Sequence, residues 1–329
     1  GTLPGQAIDV VFAYDAASGA LATTLEQNFR VNSLTFEAGG TSTPTSVTID
    51  PGTADPNSRI EVAPASNTDG IEITTGGPAA VTISGAVKLG ADQTWGVADA
   101  GSVLSIGELR GEADVTKTGS GKVILTTAAD PTFNAGVTSD FTISGGTLEL
   151  QNAAALGNTI NANLATVSVG AGGAFYYNGA AGTVPNSLTL AGGTLSAGGT
   201  TQTYGGPVSI SSDSFVNMRD GNSATTSTTA RSITLSGILS GSGKITLDSN
   251  DTASGGNQIG GTFTVNNAAN TWNGDVTFER GTMTLTSAAS PNFTANDVLF
   301  NSYGRLVIEG TNGATLTRTG TVTYAPDAV

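Results

Sequence analysis

The chain contains no cysteine and no histidine among its 329 residues. Without cysteine there are no disulfides, thiolate ligands or cysteine nucleophile, so stability has to come from packing and hydrogen bonds. Without histidine the Ser-His-Asp triad and most zinc and haem sites are excluded. These two absences therefore exclude most hydrolases and metalloenzymes. They do not exclude a glycosidase, which can cleave its substrate with a pair of carboxylates.

Positive charge is also scarce. The chain has 12 Lys or Arg residues against 26 Asp or Glu, which gives a net charge of −14. Affinity for phosphate needs clustered cations, and these cations are scattered singly along the sequence. We therefore expect no nucleic-acid partner and no binding to anionic membranes. An acidic exterior rich in Ser and Thr indicates an extracellular protein that binds cations or neutral glycans, or simply stays soluble.

Long apolar runs are missing, and no membrane span or signal peptide is recognisable. Residue 1 is Gly rather than Met, so we expect a processed or excised piece of a longer protein. Aromatic residues make up 6% of the chain, few for an enzyme with a large core.

Thr, Ser, Val and Ile dominate the segments between the 46 glycines and 11 prolines. Strands of four to six residues alternate with turn clusters, and no long window shows helical periodicity. The sequence predicts an all-β protein.

Two segments about 130 residues apart share one pattern. Lys117–Leu125 precedes Phe141–Leu150, and Leu239–Leu247 precedes Val276–Leu285. Each contains a short alternating strand, a glycine corner and a second strand with a Gly-Thr-Leu or Gly-Thr-Met step. Repeated units that cannot bury a face alone must stack on their neighbours, so the repeat predicts a solenoid of parallel strands. A pair of β-sandwiches is the alternative, but short strands and corner glycines favour the parallel β-helix.

No composition shift marks a domain boundary. We expect one continuous β-helix over residues 1–329, a single elongated domain on the order of 70 Å long. Its N-terminal strands or cap occupy residues 1–36, and its clearest repeat units occupy 103–157 and 235–286. The low-complexity segment 221–229 is expected to be a loop.

Part of the chain resembles a known family. Leu235–Leu247 followed by Asn270–Leu285 closely resembles the autotransporter-associated β-strand repeat, with its Ser-Gly-x-Gly-x-Leu strand, Asn-Thr-Tyr-x-Gly step and closing Gly-Thr-Leu. Thr24–Phe36 and Val87–Trp95 resemble the lead-in of such proteins in Verrucomicrobia-like bacteria. The resemblance implies a right-handed parallel β-helix, secreted and exposed on or beyond the surface of a Gram-negative-type cell. It implies a scaffold and not a catalyst.

The expected function is that of a non-enzymatic extracellular structural or surface protein without a cofactor. Such a rigid rod self-associates into an oligomer or filament, or presents a surface. The alternative is a glycan-binding adhesin or a carbohydrate-active β-helix enzyme, with a cell-surface or matrix polysaccharide as its partner.

Self-association is expected at the most apolar strand, near the N-terminus. Its apolar residues are Ile8, Val10, Val11 and Phe12. The terminal rung of a β-helix has unpaired N–H and C=O groups, which must be capped or paired with another strand. This strand either covers its own first rung or adds to the terminal rung of a neighbour.

Oxygen-bearing side chains form a candidate Ca²⁺ site. Asp248, Asn250 and Asp251 lie in one loop, and Asp213 and Asp220 are further candidates. Carboxylate and amide oxygens are the ligands that Ca²⁺ prefers. The spacing is not that of an EF-hand, and an Asx-rich turn is the other interpretation.

Carboxylates also supply the candidates for glycoside cleavage. They are Glu108 with Glu112 and Asp114, or Glu149 with Glu279. Such chemistry needs two carboxylates about 5 to 10 Å apart in a groove, and solvated surface charge is the other interpretation.

Aromatic side chains are candidates for stacking on sugar rings. These are Trp95, Tyr176, Tyr177 and Trp272. Burial in the core is the ordinary alternative for such residues.

Overall fold

The computed structural model describes residues 8–13, 19–39, 44–53, 55, 57–65, 69–136, 138–157, 164–180, 182–198, 201–218, 231–249, 260–286, 293, 296–310 and 319–325. These residues form 31 β-strands and no helix. The chain divides into two compact units, residues 1–167 and 168–329, each described here by itself.

The first unit contains three parallel sheets. Its first sheet comprises β1 (Asp9–Ala13), β4 (Ser33–Glu37), β7 (Asp69–Ile73), β10 (Gln93–Val97), β13 (Val115–Thr118) and β15 (Asp140–Ile143). Its second sheet comprises β2 (Ala20–Thr24), β5 (Ser46–Asp50), β8 (Ala80–Ile83), β11 (Val103–Ile106), β14 (Lys122–Leu125) and β16 (Gly146–Leu150). Its third sheet comprises β3 (Phe29–Val31), β6 (Arg59–Val62), β9 (Ala86–Leu89) and β12 (Leu109–Gly111).

The second unit repeats the arrangement, and β17 (Thr166–Gly170) contains the division between the units. Its first sheet includes β20 (Leu188–Ala191), β23 (Val208–Ser212) and β26 (Leu239–Gly241). Its second sheet comprises β18 (Gly173–Tyr177), β21 (Thr194–Ala197), β24 (Ser214–Asn217), β27 (Ile245–Asp248), β29 (Val276–Leu285), β30 (Val298–Ile308) and β31 (Val322–Tyr324). Its third sheet comprises β19 (Thr183–Val184), β22 (Thr201–Tyr204), β25 (Ser232–Leu235) and β28 (Thr262–Val265), and continues into the second half of β29.

From β1 to β12, and again from β17 to β28, successive strands visit the three sheets in turn, and each set of three forms one rung. Between them, β13 with β14 and β15 with β16 form rungs of two strands in the first and second sheets. Strands of neighbouring rungs pair in parallel and in register, as where Leu104 lies between Val81 and Val123. Side chains alternate between the two faces of a strand, so the inward positions of successive rungs stack into apolar columns. One such column contains Val47, Val81, Leu104, Val123 and Leu148. The prediction of an all-β, parallel β-solenoid is confirmed within each unit.

Aromatic rings continue these columns. Phe278 stacks on Phe300 with 4.7 Å between ring centroids, and Phe300 stacks on Tyr324 at 5.1 Å. Near the start of the first unit, Phe12 stacks on Phe36 at 4.8 Å. Parallel rings at these distances add attraction to the burial of their apolar area.

Several details differ from the sequence predictions. Within the resembling segment Thr24–Phe36 the chain forms two strands, β3 and β4, because it turns a corner at Asn32, whose N–H donates to the carbonyl of Ile8. The number of residues between equivalent rung positions is also uneven, from 19 between Ile106 and Leu125 to 37 between Phe36 and Ile73. The expected loop 221–229 lies outside the described residues, and the single continuous domain stays a prediction.

Gly241 ends β26 with a φ of +98°, a conformation that disfavours any side chain. A Cβ added there would lie 2.2 Å from the carbonyl oxygen of Ile210 on the rung below. The corner therefore requires glycine for two separate reasons, backbone conformation and close approach of the next rung.

We expect Gly241→Ala to lower the free energy of unfolding by at least about 2 kcal/mol, because it combines left-handed strain with a backbone clash. Gly101→Ala is the matched control, since a Cβ there meets no atom within 4 Å. Urea denaturation of both variants measures the difference. Equal stability of the two variants would contradict this account of the corner.

Candidate functional surfaces

A row of charged side chains follows the third sheet of the first unit. The outward positions of β3, β6, β9 and β12 place Arg30, Glu61, Lys88 and Arg110 in register. The alternate positions of β6 and β9 are buried in the core, as the two-residue alternation of a strand requires. Stacking of rungs therefore brings together charges that are distant in the sequence.

Glu61 receives a cation from each side. Its Oε1 lies 3.2 Å from Nε of Arg30, and its Oε2 lies 2.9 Å from Nζ of Lys88. Pairs of this kind on a surface contribute little to stability, commonly below about 1 kcal/mol. Their main effect here is to hold three flexible side chains in defined positions.

Arg110 joins two carboxylates. It forms an ion pair with Glu108, and its Nε lies 3.4 Å from Oδ2 of Asp130. Partial burial raises the pKa of Asp130, but hydrogen bonds from Thr132 and the nearby guanidinium groups of Arg110 and Arg59 outweigh burial, and the net pKa is lowered. The carboxylate is therefore held in its charged form.

A groove of about 510 Å³ lies over this face. Its charged lining residues are Arg59, Lys88, Arg110, Glu61, Glu112 and Asp130. Gly90 and Gly111 also line it. The groove is strongly polar and locally balanced in charge, with three cations and three anions. Sequence reasoning did not predict it.

The carboxylates considered for glycoside cleavage fall in separate places. Glu112 lines the groove, and Glu108 is held in its ion pair with Arg110. Asp114 lines a different depression of about 230 Å³. Glu112 accepts a backbone N–H at 2.7 Å, and Asp114 accepts the N–H of Asp140 at 2.8 Å. All three carboxylates are engaged within the protein.

The second candidate pair is divided between the units. Glu149 lies in the first unit, almost fully buried, with its Oε2 2.9 Å from Nζ of Lys122. Glu279 lies in the second unit and accepts a hydrogen bond of 2.7 Å from Nδ2 of Asn301. Each carboxylate therefore has a partner within its own unit.

Aspartates at the start of successive strands form what we call the aspartate ladder. Oδ1 of Asp92 accepts the N–H of Asp114 at 2.9 Å, and Oδ1 of Asp114 accepts the N–H of Asp140. In the second unit, Oδ1 of Asp275 accepts the N–H of Asp297 at 3.0 Å. Each carboxylate satisfies an amide at the corner of the next rung, where no strand carbonyl faces it. The ladder has a structural role.

Only part of the loop proposed to bind Ca²⁺ lies within the described residues. Asp248 is the last residue of β27, while Asn250, Asp251 and Asp220 lie outside the described residues. Asp213 accepts a backbone N–H from the next rung at 3.0 Å. Within the described ranges no group of three or more Asp or Glu side chains is placed to hold a metal ion. The Ca²⁺ site stays a prediction.

The aromatic candidates for sugar stacking lie in the core. Trp95, Tyr176, Tyr177 and Trp272 are between 1% and 5% exposed. A sugar cannot reach a ring face that is covered on both sides, so the alternative interpretation of these residues, burial, is the one observed.

The apolar N-terminal strand lies at an edge. Ile8 and Val11 are 41% and 52% exposed, whereas Val10 and Phe12 line an apolar opening of about 240 Å³ that leads into the interior of the first unit. In the described part of the chain, β1 pairs with β4 alone. Among the described residues no strand pairs with the other side of β1. Its role in assembly stays a prediction.

Lys117 is a buried cation that sequence reasoning did not single out. It occupies an inward position of β13 and is 2% exposed. Its Nζ donates to the carbonyl oxygens of Thr118, Gly119 and Gly145 at 2.5, 3.0 and 3.1 Å. Burial lowers the pKa of Lys117 to about 8. The three carbonyls satisfy the ammonium and connect a corner to the rung above it.

No helix in the described part of the chain has the length and hydropathy of a membrane span. No protein-family model matches this sequence, and neither a curated protein nor a solved structure matches it. The resemblance to the autotransporter-associated β-strand repeat therefore stays a prediction.

The lowered pKa of Lys117 predicts a pH dependence of stability. Between pH 8 and 10.5 the unfolded chain holds a proton that the folded chain has released, so the free energy of unfolding rises with pH in this window. Lys117→Met removes the titrating ammonium, and with it this pH-dependent contribution to the free energy of unfolding. We expect the stability of the wild type relative to Lys117→Met to increase from pH 8 to pH 10, as measured by urea denaturation at each pH. A difference that does not change with pH would contradict the prediction.

Proposed function

We propose that this chain is a non-enzymatic, extracellular structural protein whose β-solenoid associates head to tail with further copies of itself. The observation that carries the proposal is the exposed edge of β1 beside an apolar opening into the interior. An edge strand with unpaired backbone groups and apolar neighbours is a template for pairing with another strand.

The other end of the described chain offers a second edge. β31 pairs with β30 on one side, and Val322 and Tyr324 are 44% and 67% exposed. Nearly all pairing in the described residues is parallel, the exception being the isolated bridge between Gly170 and Gly192. Parallel pairing continues only when unlike edges meet, as in head-to-tail contact. Such heterologous contacts are not closed by two-fold symmetry and extend into open series.

The composition and the resemblance support an extracellular scaffold. The chain has no cysteine or histidine and carries a net charge of −14. Similarity to the autotransporter-associated β-strand repeat favours a secreted protein at a Gram-negative-type cell surface. The carboxylates considered for catalysis are engaged in hydrogen bonds and ion pairs, which favours a structural role for them.

Val10→Lys is expected to weaken self-association at least about 100-fold, because a partner that continues the interior would bury the new ammonium. Val11→Lys is the matched control: it adds the same charge to the neighbouring residue, which faces outward. Sedimentation velocity over a range of concentrations measures association, and circular dichroism checks the fold of both variants.

A monomeric wild type at high concentration would overturn the proposed assembly. Loss of association in Val11→Lys but not in Val10→Lys would assign the contact to the outer face instead. A single closed dimer, without larger species, would contradict head-to-tail contact.

The non-enzymatic part of the proposal has its own test. Incubation with a panel of neutral and acidic polysaccharides should release no more reducing ends than heat-denatured protein does, because no free acid–base pair of carboxylates lies in the described groove. Release that disappears in Glu112→Gln would show catalysis and end this part of the proposal.

A further inference from the structure

The charged groove of the first unit has no role in the proposed assembly. Four of the 12 Lys and Arg residues of the chain lie on the four short strands of the third sheet. Three of them, Arg59, Lys88 and Arg110, line the groove together with three carboxylates. Structural ion pairs alone do not require an open concave surface of about 510 Å³ above them.

The guanidinium of Arg59 is the clearest sign of a missing ligand. Its backbone N–H donates to Oδ1 of Asn28 at 3.1 Å. The guanidinium has no hydrogen-bond or ion-pair partner among the described residues, although it lines the groove and lies near Asp130. An arginine presents five N–H donors in a planar fork, so a groove-facing arginine without a partner is a ready site for oxygen acceptors.

We propose that this groove binds a neutral polysaccharide. Each sugar hydroxyl can both donate and accept a hydrogen bond. Neighbouring hydroxyls can therefore donate to the carboxylates of the groove and accept from its guanidinium and ammonium groups. Hydrogen bonds to charged groups are about twice as strong as those between neutral groups. The site is independent of the head-to-tail contact of the proposed function.

Electrostatics favour a neutral ligand over an acidic one. The six charged lining residues sum to zero, and the chain as a whole carries −14. A polyanion would gain little from three cations that share the groove with Glu61, Glu112 and Asp130, because these carboxylates would repel it. A neutral polysaccharide is not repelled by the carboxylates of the groove.

The ion pairs prepare the groove for its ligand. Lys88 is held by Glu61 at 2.9 Å, and Arg110 is held by Asp130 at 3.4 Å. Side chains that are already fixed lose less conformational entropy when a ligand binds. The rungs repeat about every 4.8 Å along the sheet, close to the length of one sugar residue, so successive sugars meet successive rungs.

Affinity electrophoresis tests the proposal in native gels that contain β-glucan, arabinoxylan, galactomannan or dextran, with alginate and polygalacturonate as acidic probes. We expect at least one neutral polysaccharide to retard the intact chain. Arg59→Gln and Lys88→Gln should each raise the dissociation constant about tenfold, since each removes a charged hydrogen bond to the ligand.

Lys122→Gln is the matched control. Lys122 forms an ion pair with Glu149 at 2.9 Å, the same distance as between Lys88 and Glu61, but it lies on the second sheet. The substitution Lys122→Gln changes the net charge of the protein by the same amount as Lys88→Gln, and hence also its electrophoretic mobility in a gel without polysaccharide. Circular dichroism checks that all variants fold.

Retention of wild-type affinity in Lys122→Gln, with loss in the two groove variants, would support the site. Absence of retardation by every neutral polysaccharide, retardation by the acidic probes alone, or equal loss in Lys122→Gln would each overturn it.

Discussion

Hydrogen bonding from each rung to the next is the constraint on which the rest of the structure depends. A rung of two or three short strands cannot bury its apolar face or satisfy its backbone alone. The N–H of Thr126, for example, donates to the carbonyl of Ile106 on the preceding rung at 2.9 Å. Inward positions are therefore mostly apolar and in register, with exceptions such as Lys117, whereas outward positions are free to differ. The third sheet of the first unit carries charge, and that of the second unit carries threonines such as Thr203 and Thr264.

The strands could be predicted because the signal for them is local. Alternation in Val276–Leu285, with its Gly-Thr-Met step, is enough to indicate a strand with one buried face. The glycine corner within Lys117–Leu125 was predicted and lies between β13 and β14. The path of the chain at other corners could not be predicted, because it depends on the rung below. Phe141–Leu150 breaks into two strands at Ser144 and Gly145, while Val276–Leu285 passes its corner as one strand that bends at Gly281.

The candidate site was much less predictable than the fold. Arg30, Glu61 and Lys88 are adjacent only because loops of unequal length bring their strands into register. No fixed period in the sequence reveals that column. Lys117 reads as an ordinary polar residue in an alternating strand, and one of its acceptors, the carbonyl of Gly145, belongs to the following rung. The sequence did indicate carboxylates as candidates for glycoside cleavage. It could not show that Glu112 and Asp114 accept hydrogen bonds from backbone N–H groups of a neighbouring rung.

The aspartate ladder has a consequence for how such a chain can evolve. Asp92 and Asp114 each offer the following rung the same acceptor in the same place, and Asp275 does so in the second unit. Excision or tandem duplication of the gene segment for one whole rung would leave each remaining amide facing an equivalent carboxylate. A unit built in this way can gain or lose whole rungs while the same hydrogen bonds form between the remaining ones. Its length is therefore the property that mutation can alter most readily, and it changes in discrete steps.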